Sequence, residues 1–133
     1  MFQSVLTIAI DSVPMLAAAS LGYLIGLERE LHKHYAGMRT NALVSLGAAA
    51  FVALSLQLHD TSSTRVIGQI AAGLGFLGAG VILKDGIKVH GLTTAATIWV
   101  SGAVGSICGA GRYIDAVVVA GLVIIINLLK RHE

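Results

Sequence analysis

Charged residues divide this chain into five apolar blocks. The first covers 4–27 and is interrupted only by Asp11 and Pro14; the others cover 41–58, 66–83, 92–109 and 113–129. A helix needs about 20 apolar residues, roughly 17 to 25, to cross a bilayer. Each block fits that window, so the pattern predicts an all-α integral membrane protein with five transmembrane helices and short connections. No internal repeat breaks the pattern, and 1–133 reads as a single transmembrane domain. The opening MFQSVLTIAI has no Lys or Arg. A signal peptide begins with a basic region, so the first block is expected to be a retained helix.

Within the blocks, small residues recur at helical spacing. The second has Ala42, Ser45, Ala49 and Ala53; the third has Gly68, Ala72, Gly75 and Ala79. The fourth has Thr94, Thr97, Ser101, Gly105 and Cys108. Two G-x-x-x-G pairs appear, Gly22 with Gly26 and Gly105 with Gly109. In lipid, helices associate through close van der Waals approach and interhelical hydrogen bonds rather than through apolar burial. These Gly/Ala/Ser stripes are therefore the expected packing faces. The fifth block, with DAVVVAGLVIII, is bulky and β-branched and is expected to face lipid, leaving the first four helices as the core.

Composition agrees with lipid as the main solvent. The chain is 56% hydrophobic and 12% charged, against about 25% charged in a soluble domain. A net charge of +2 gives no footprint for nucleic acid, and the single Cys108 excludes an internal disulfide. The positions of the basic residues set the orientation. Seven (Arg29, Lys33, Arg39, Lys84, Lys88, Lys130 and Arg131) fall on one side of the predicted helices, and two (Arg65 and Arg112) on the other. That places the N-terminus outside and the C-terminus in the cytoplasm.

The segment GLGFLGAG, residues 73–80, contains the G-x-G-x-x-G spacing of a dinucleotide loop. Such a loop follows a strand and is followed about 20 residues later by a carboxylate. Here VIGQIAA precedes it and TIWV occupies the later position. Gly73, Gly75, Gly78 and Gly80 are read instead as close-approach positions on a central helix, and no nucleotide cofactor is expected.

The polar residues with most to say lie at the cytoplasmic helix ends. GLEREL supplies Glu28, Arg29 and Glu30; AGMRTN supplies Arg39 and Thr40; LKDGIKVHGLTT supplies Asp85, Gly86, Thr93 and Thr94. A carboxylate at membrane depth is costly unless paired, and Arg can grip it bidentately. Glu28 or Asp85 with Arg39 is thus the expected lock between three helix ends. Magnesium is the competing reading, with Asp85 and Glu28 as its candidate ligands, since Mg2+ is held by one or two carboxylates plus waters. The neighbouring Arg29 and Arg39 oppose a dication, and the ion-pair network is favoured. Thr40 or Asn41 also suits a helix cap. Trp99, in mid-span, is expected to pack rather than to bind a ligand. No nucleophile, base and orienting acid come together, so no enzyme activity is expected.

These motifs resemble the membrane domain of the MgtC/SapB family. The resemblance rests on GYLIGLERELHKHYAGMRTNALVSLGAAAF and GLGFLGAGVILKDGIKVHGLTTAATIWVSGAVGSICGAGRY, which span most of 22–113. Matching positions are Glu28, Arg29, Arg39, Thr40, Asp85, Gly86, Thr93, Thr94, Trp99 and the glycines of 73–80. The resemblance implies a bacterial inner-membrane protein linked to magnesium limitation and, in pathogens, to survival inside macrophages. It further implies a regulator of other membrane machinery, the F-type ATP synthase included, rather than an established magnesium transporter. Members of this type continue into a soluble domain after the fifth helix, whereas this chain stops at KRHE; no such domain is expected here. The leading expectation is a regulator that binds a membrane partner through small-residue helix faces, with the Glu28/Arg39/Asp85 cluster holding its active arrangement, and that forms a homo-oligomer, a dimer being favoured. The alternatives are a small transporter or channel lined by Thr94, Thr97 and Ser101, and a pure assembly element.

Overall fold

The computed structural model describes residues 1–58 and 63–129, without the side chains of Lys84 and Asp85. It has five helices: α1 (Phe2–Leu31), α2 (Met38–Gln57), α3 (Ser63–Val81), α4 (Leu92–Gly109) and α5 (Tyr113–Leu128). The first four are long and apolar enough to cross a membrane, and α5 is a shorter apolar helix. Between α3 and α4 lies a small antiparallel hairpin, β1 (Leu83–Asp85) and β2 (Lys88–His90), which helical periodicity did not anticipate. Gly86 makes its turn possible. It takes φ +63° at the first of the two central positions, where a type II′ hairpin favours glycine.

Helix α1 is longer than its apolar block. Thirty residues rise about 45 Å, and the added length at the C-terminal end carries Glu28 and Arg29 into the bundle. Pro14 lies within the helix, as membrane helices tolerate. The start at Phe2 sets Asp11 nine residues in, on an exposed face. The chain then leaves α1 through paired reverse bonds. Lys33 N–H donates to Glu30 O and His34 N–H to Arg29 O, the two bonds of a Schellman motif. Lys33 occupies its left-handed position at φ 58°, where glycine is the usual residue. Helix α4 ends the same way with Gly111 in that position, its N–H donating to Cys108 O and that of Arg112 to Ile107 O.

The centre of the bundle is α4, which packs on all four other helices. The larger core cluster joins Ala18 and Ile25 of α1, Ala49 of α2, Val104 and Cys108 of α4, and Ala116, Ala120 and Val123 of α5. This differs from the expectation that α5 faces lipid and α3 is central. Small residues on one face let α5 approach, while its bulky Val117, Val118, Leu122 and Ile125 point outward. Helix α3 buries only Leu74 and Gly78 and joins a second cluster with Ala36 and Ile98.

The expected glycines divide along the same line. A side chain at Gly22 would meet Asn41 and Ser45, and one at Gly26 would meet the backbone of Gly37 and Met38. At Gly105 it would run into the Ser45 carbonyl, and at Gly109 into that of Ala49. These four positions let α1 and α4 both close on α2, Gly22 and Gly105 against the same residue, Ser45. Gly78 has ordinary room against Ala95, but Gly68, Gly73, Gly75 and Gly80 face open space, with nothing within 4 Å. The stripe Gly68, Ala72, Gly75, Ala79 is therefore on the wrong face for packing within this chain. Contact runs through Leu74, whose side chain fills the space Gly102 leaves on α4.

Candidate functional site

The polar site forms where the C-terminal ends of α1 and α5 meet the start of α4. Gly91, at φ 88°, turns the chain from β2 into α4 and sits against the Val81 carbonyl too closely for any side chain. That turn places Thr93 and Thr94 beside the last turn of α1. A pocket of about 610 Å³ opens here, lined by Glu28, Arg29, His32, His34, Thr94 and Asn127 among others.

Arg29 is its centre. The residue is only 3% exposed, and its Nη2 donates to Thr94 Oγ1 at 2.8 Å. Glu28, 7% exposed, brings the opposite charge. Its Oε1 lies 3.2 Å from His32 Nδ1, and the same ring nitrogen is 2.8 Å from the Glu28 carbonyl. The other carboxylate oxygen, Oε2, is buried without a hydrogen-bond partner. Burying a charged group costs several kcal/mol, roughly, unless it is paired, so both charges belong to an arrangement that the fold sustains at a cost.

Behind the pocket, the polar residues of the bundle bond to one another. Asn41 Nδ2 donates to the carbonyls of Ala36 and Gly37, and Ser101 Oγ donates to Asn41 Oδ1 at 2.7 Å. One side chain thus ties the start of α2 to the middle of α4. Thr97 donates to the Thr93 carbonyl and accepts from Asn127 Nδ2 at 3.1 Å, which ties α5 to α4. In lipid such interhelical bonds replace the hydrophobic drive of a soluble core.

The expected site residues separate into two groups. Glu28, Arg29, Thr93 and Thr94 share the pocket. Arg39 and Thr40 stand on the exposed side of α2, and Arg39 joins neither ion pair among the described residues. The buried arginine is Arg29, ten residues earlier. The anticipated Asp85 contact involves a side chain outside the described residues. Trp99 is half-exposed on the outside of α4, beside Ile67 and Ile70 of α3, and is not enclosed in the bundle. Asn41, which the sequence alone suits to a helix cap, instead bonds to the carbonyls of Ala36 and Gly37 and to Ser101. Its signal was present: 41, 45, 49 and 53 continue the small-residue stripe of α2 back by one turn.

The described residues contain no cluster of three or more His, Cys, Asp or Glu able to hold a metal, and Glu28 has the Arg29 guanidinium in the same pocket. What the arrangement offers is a charged, hydrogen-bonding recess at one end of a membrane bundle.

Comparison with known proteins accords with this membrane architecture. The MgtC family model matches residues 15–132. Protein MgtC of Brucella abortus is 54% identical over 112 residues, which are 84% of this chain and 47% of that protein. Protein MgtC of Salmonella typhimurium is 46% identical over 118 residues, 89% of this chain and 51% of that one. An uncharacterized protein of Synechocystis is 50% identical over 112 residues, 84% of this chain and 48% of its own length. The chain spans about half the length of these relatives. No solved structure matches it. The family match across most of the chain, with relatives at this level of identity, shows that the chain belongs to the MgtC family.

Proposed function

We propose that this chain is an inner-membrane protein of magnesium limitation that regulates membrane partners and catalyses no reaction. Family membership supplies the physiological setting. The observation that carries the reading is the buried Glu28–Arg29–Thr94 arrangement at a pocketed helix junction. A charged junction of this kind joins three helix ends and can respond to a partner that touches any of them. The hydrogen bonds of Ser101 with Asn41 and of Asn127 with Thr97 run between helices of the bundle, which supports a packed interior over an ion path. In this reading the pocket faces the cytoplasm, the protein acts as a homodimer, and an F-type ATP synthase is a partner by family resemblance.

A transporter is the second reading, and one observation favours it. Thr93 and Asn127 line both the polar pocket and an adjoining groove of about 410 Å³ that reaches Thr97 and Val100. Two measurements separate the readings. Purified protein in liposomes should pass Mg2+ no faster than empty liposomes. In a bacterium that lacks its own copy, the wild type and Arg39→Gln should restore growth in low magnesium, and Arg29→Met should not while still reaching the membrane. Mg2+ flux well above the empty-liposome rate would overturn the regulatory reading.

A further inference from the structure

The groove between α2 and α3 plays no part in that site. It encloses about 680 Å³, and its walls are apolar, among them Leu43, Phe51, Ile70 and Leu77. Gly47 of α2 and Gly73 of α3 both line it, and nothing lies within 4 Å of a side chain placed on either. Neither glycine has positive φ. Neither packing within the chain nor backbone conformation therefore calls for glycine at these positions. Glycine inside a helix costs about 0.5–1 kcal/mol relative to alanine. Two such residues on facing helices keep a channel open for something the described residues do not supply.

The chemistry of the groove indicates what that is. Arg65 and Gln69 lie at one end. Arg65 is exposed and has no ion-pair partner among the described residues. From Arg65 to Leu77 the helix rises about 18 Å, close to the roughly 15 Å of hydrocarbon in one leaflet. The groove is thus as deep as a leaflet, apolar along its length, and headed by a cation that joins no ion pair among the described residues. We propose that it seats one acyl chain of an anionic phospholipid, with the headgroup phosphate held by Arg65. This requires only that α2 and α3 cross a bilayer, and it is independent of the regulatory reading.

Native mass spectrometry of the full chain in mild detergent tests the proposal, with dioleoylphosphatidylglycerol and dioleoylphosphatidylcholine as probes. The wild type should retain one phospholipid and prefer the glycerol form on the order of five-fold, the worth of one cation near an anionic headgroup. Gly73→Leu and Gly47→Leu place their side chains in open space, so each should lose the lipid with its thermal melting point unchanged or raised. Arg65→Gln should keep the lipid and lose the preference. Lipid retention undiminished in both leucine variants would overturn the proposal. So would a dimer that Gly73→Leu dissociates and that carries no lipid, which would assign the groove to a second copy. Should the leucine variants not fold, an unchanged preference in Arg65→Gln would overturn it.

Discussion

Helices α3 and α4 are almost equal in length and both are rich in small residues, yet the fold treats them oppositely. Helix α3 has five glycines and buries two residues; α4 has three glycines and buries ten. Glycine content therefore does not decide which helix is central. What distinguishes α4 is a face on which Thr94, Thr97 and Ser101 bond to neighbouring side chains while Gly105 and Gly109 admit the backbone of α2. The polar residues of α3, Ser63, Thr64, Arg65 and Gln69, all lie in its first two turns. In lipid an apolar surface gains little by moving from solvent to protein, so a helix settles where hydrogen bonds and close backbone approach are found together.

Matched substitutions in the two helices offer the sharpest way to break this contrast. Gly105→Leu pushes a side chain into the Ser45 carbonyl and should cost about 3 kcal/mol, as overpacking does. Gly75→Leu, facing open space, should stay within about 0.5 kcal/mol. Unfolding by sodium dodecyl sulfate, followed by circular dichroism, measures both. Equal losses would mean that α3 is as enclosed as α4.

The next largest effect is expected at the arginines. Arg29→Met removes a charged donor from Thr94 and should cost about 2 kcal/mol. Arg39→Met, on an exposed surface, should change the same unfolding curve by no more than about 0.5 kcal/mol. The reverse order would return the lock to Arg39.

A smaller change is expected from Asn41→Ala, about 1 kcal/mol, since interhelical hydrogen bonds in membranes average less than that and this side chain makes several. Adding Ser101→Ala should then cost almost nothing further, because the two share one bond. Full additivity in that double-mutant cycle would show the bond to be idle. The smallest effect has the opposite sign. Gly68→Ala, with open space around it, should stabilise by about 0.5–1 kcal/mol through helix propensity. A loss there would point to a neighbour that contacts α3 from outside the chain.

Much of the helical layout was legible because charged residues and glycines mark where apolar runs stop. The fourth helix has the expected bounds, and the others differ by a few residues at their ends. The largest shift is in α1, where GLEREL continues the helix. Its buried face is completed by Thr94, 65 residues away, a partner that no local pattern reveals. The hairpin is not legible in the sequence because strands of three residues leave too short a period to read. That Arg29 is buried and Arg39 exposed has a rotational reason. Both lie near helix ends on the same side of the predicted membrane, and only the phase of each helix decides which points inward.

From the sequence alone came an all-helical membrane chain, the approximate limits of its helices, the packing glycines of α1 and α4, and the small-residue faces of α2 and α4. These follow from local spacing, which the 3.6-residue turn converts directly into a face. The tertiary structure alone decided that α4 is central, that α5 rather than α3 completes the core, and that Arg29 rather than Arg39 is buried. Each of these depends on how one helix is rotated and set against another. Several apolar faces compete for the same neighbours, and hydrogen bonds between distant residues select among them.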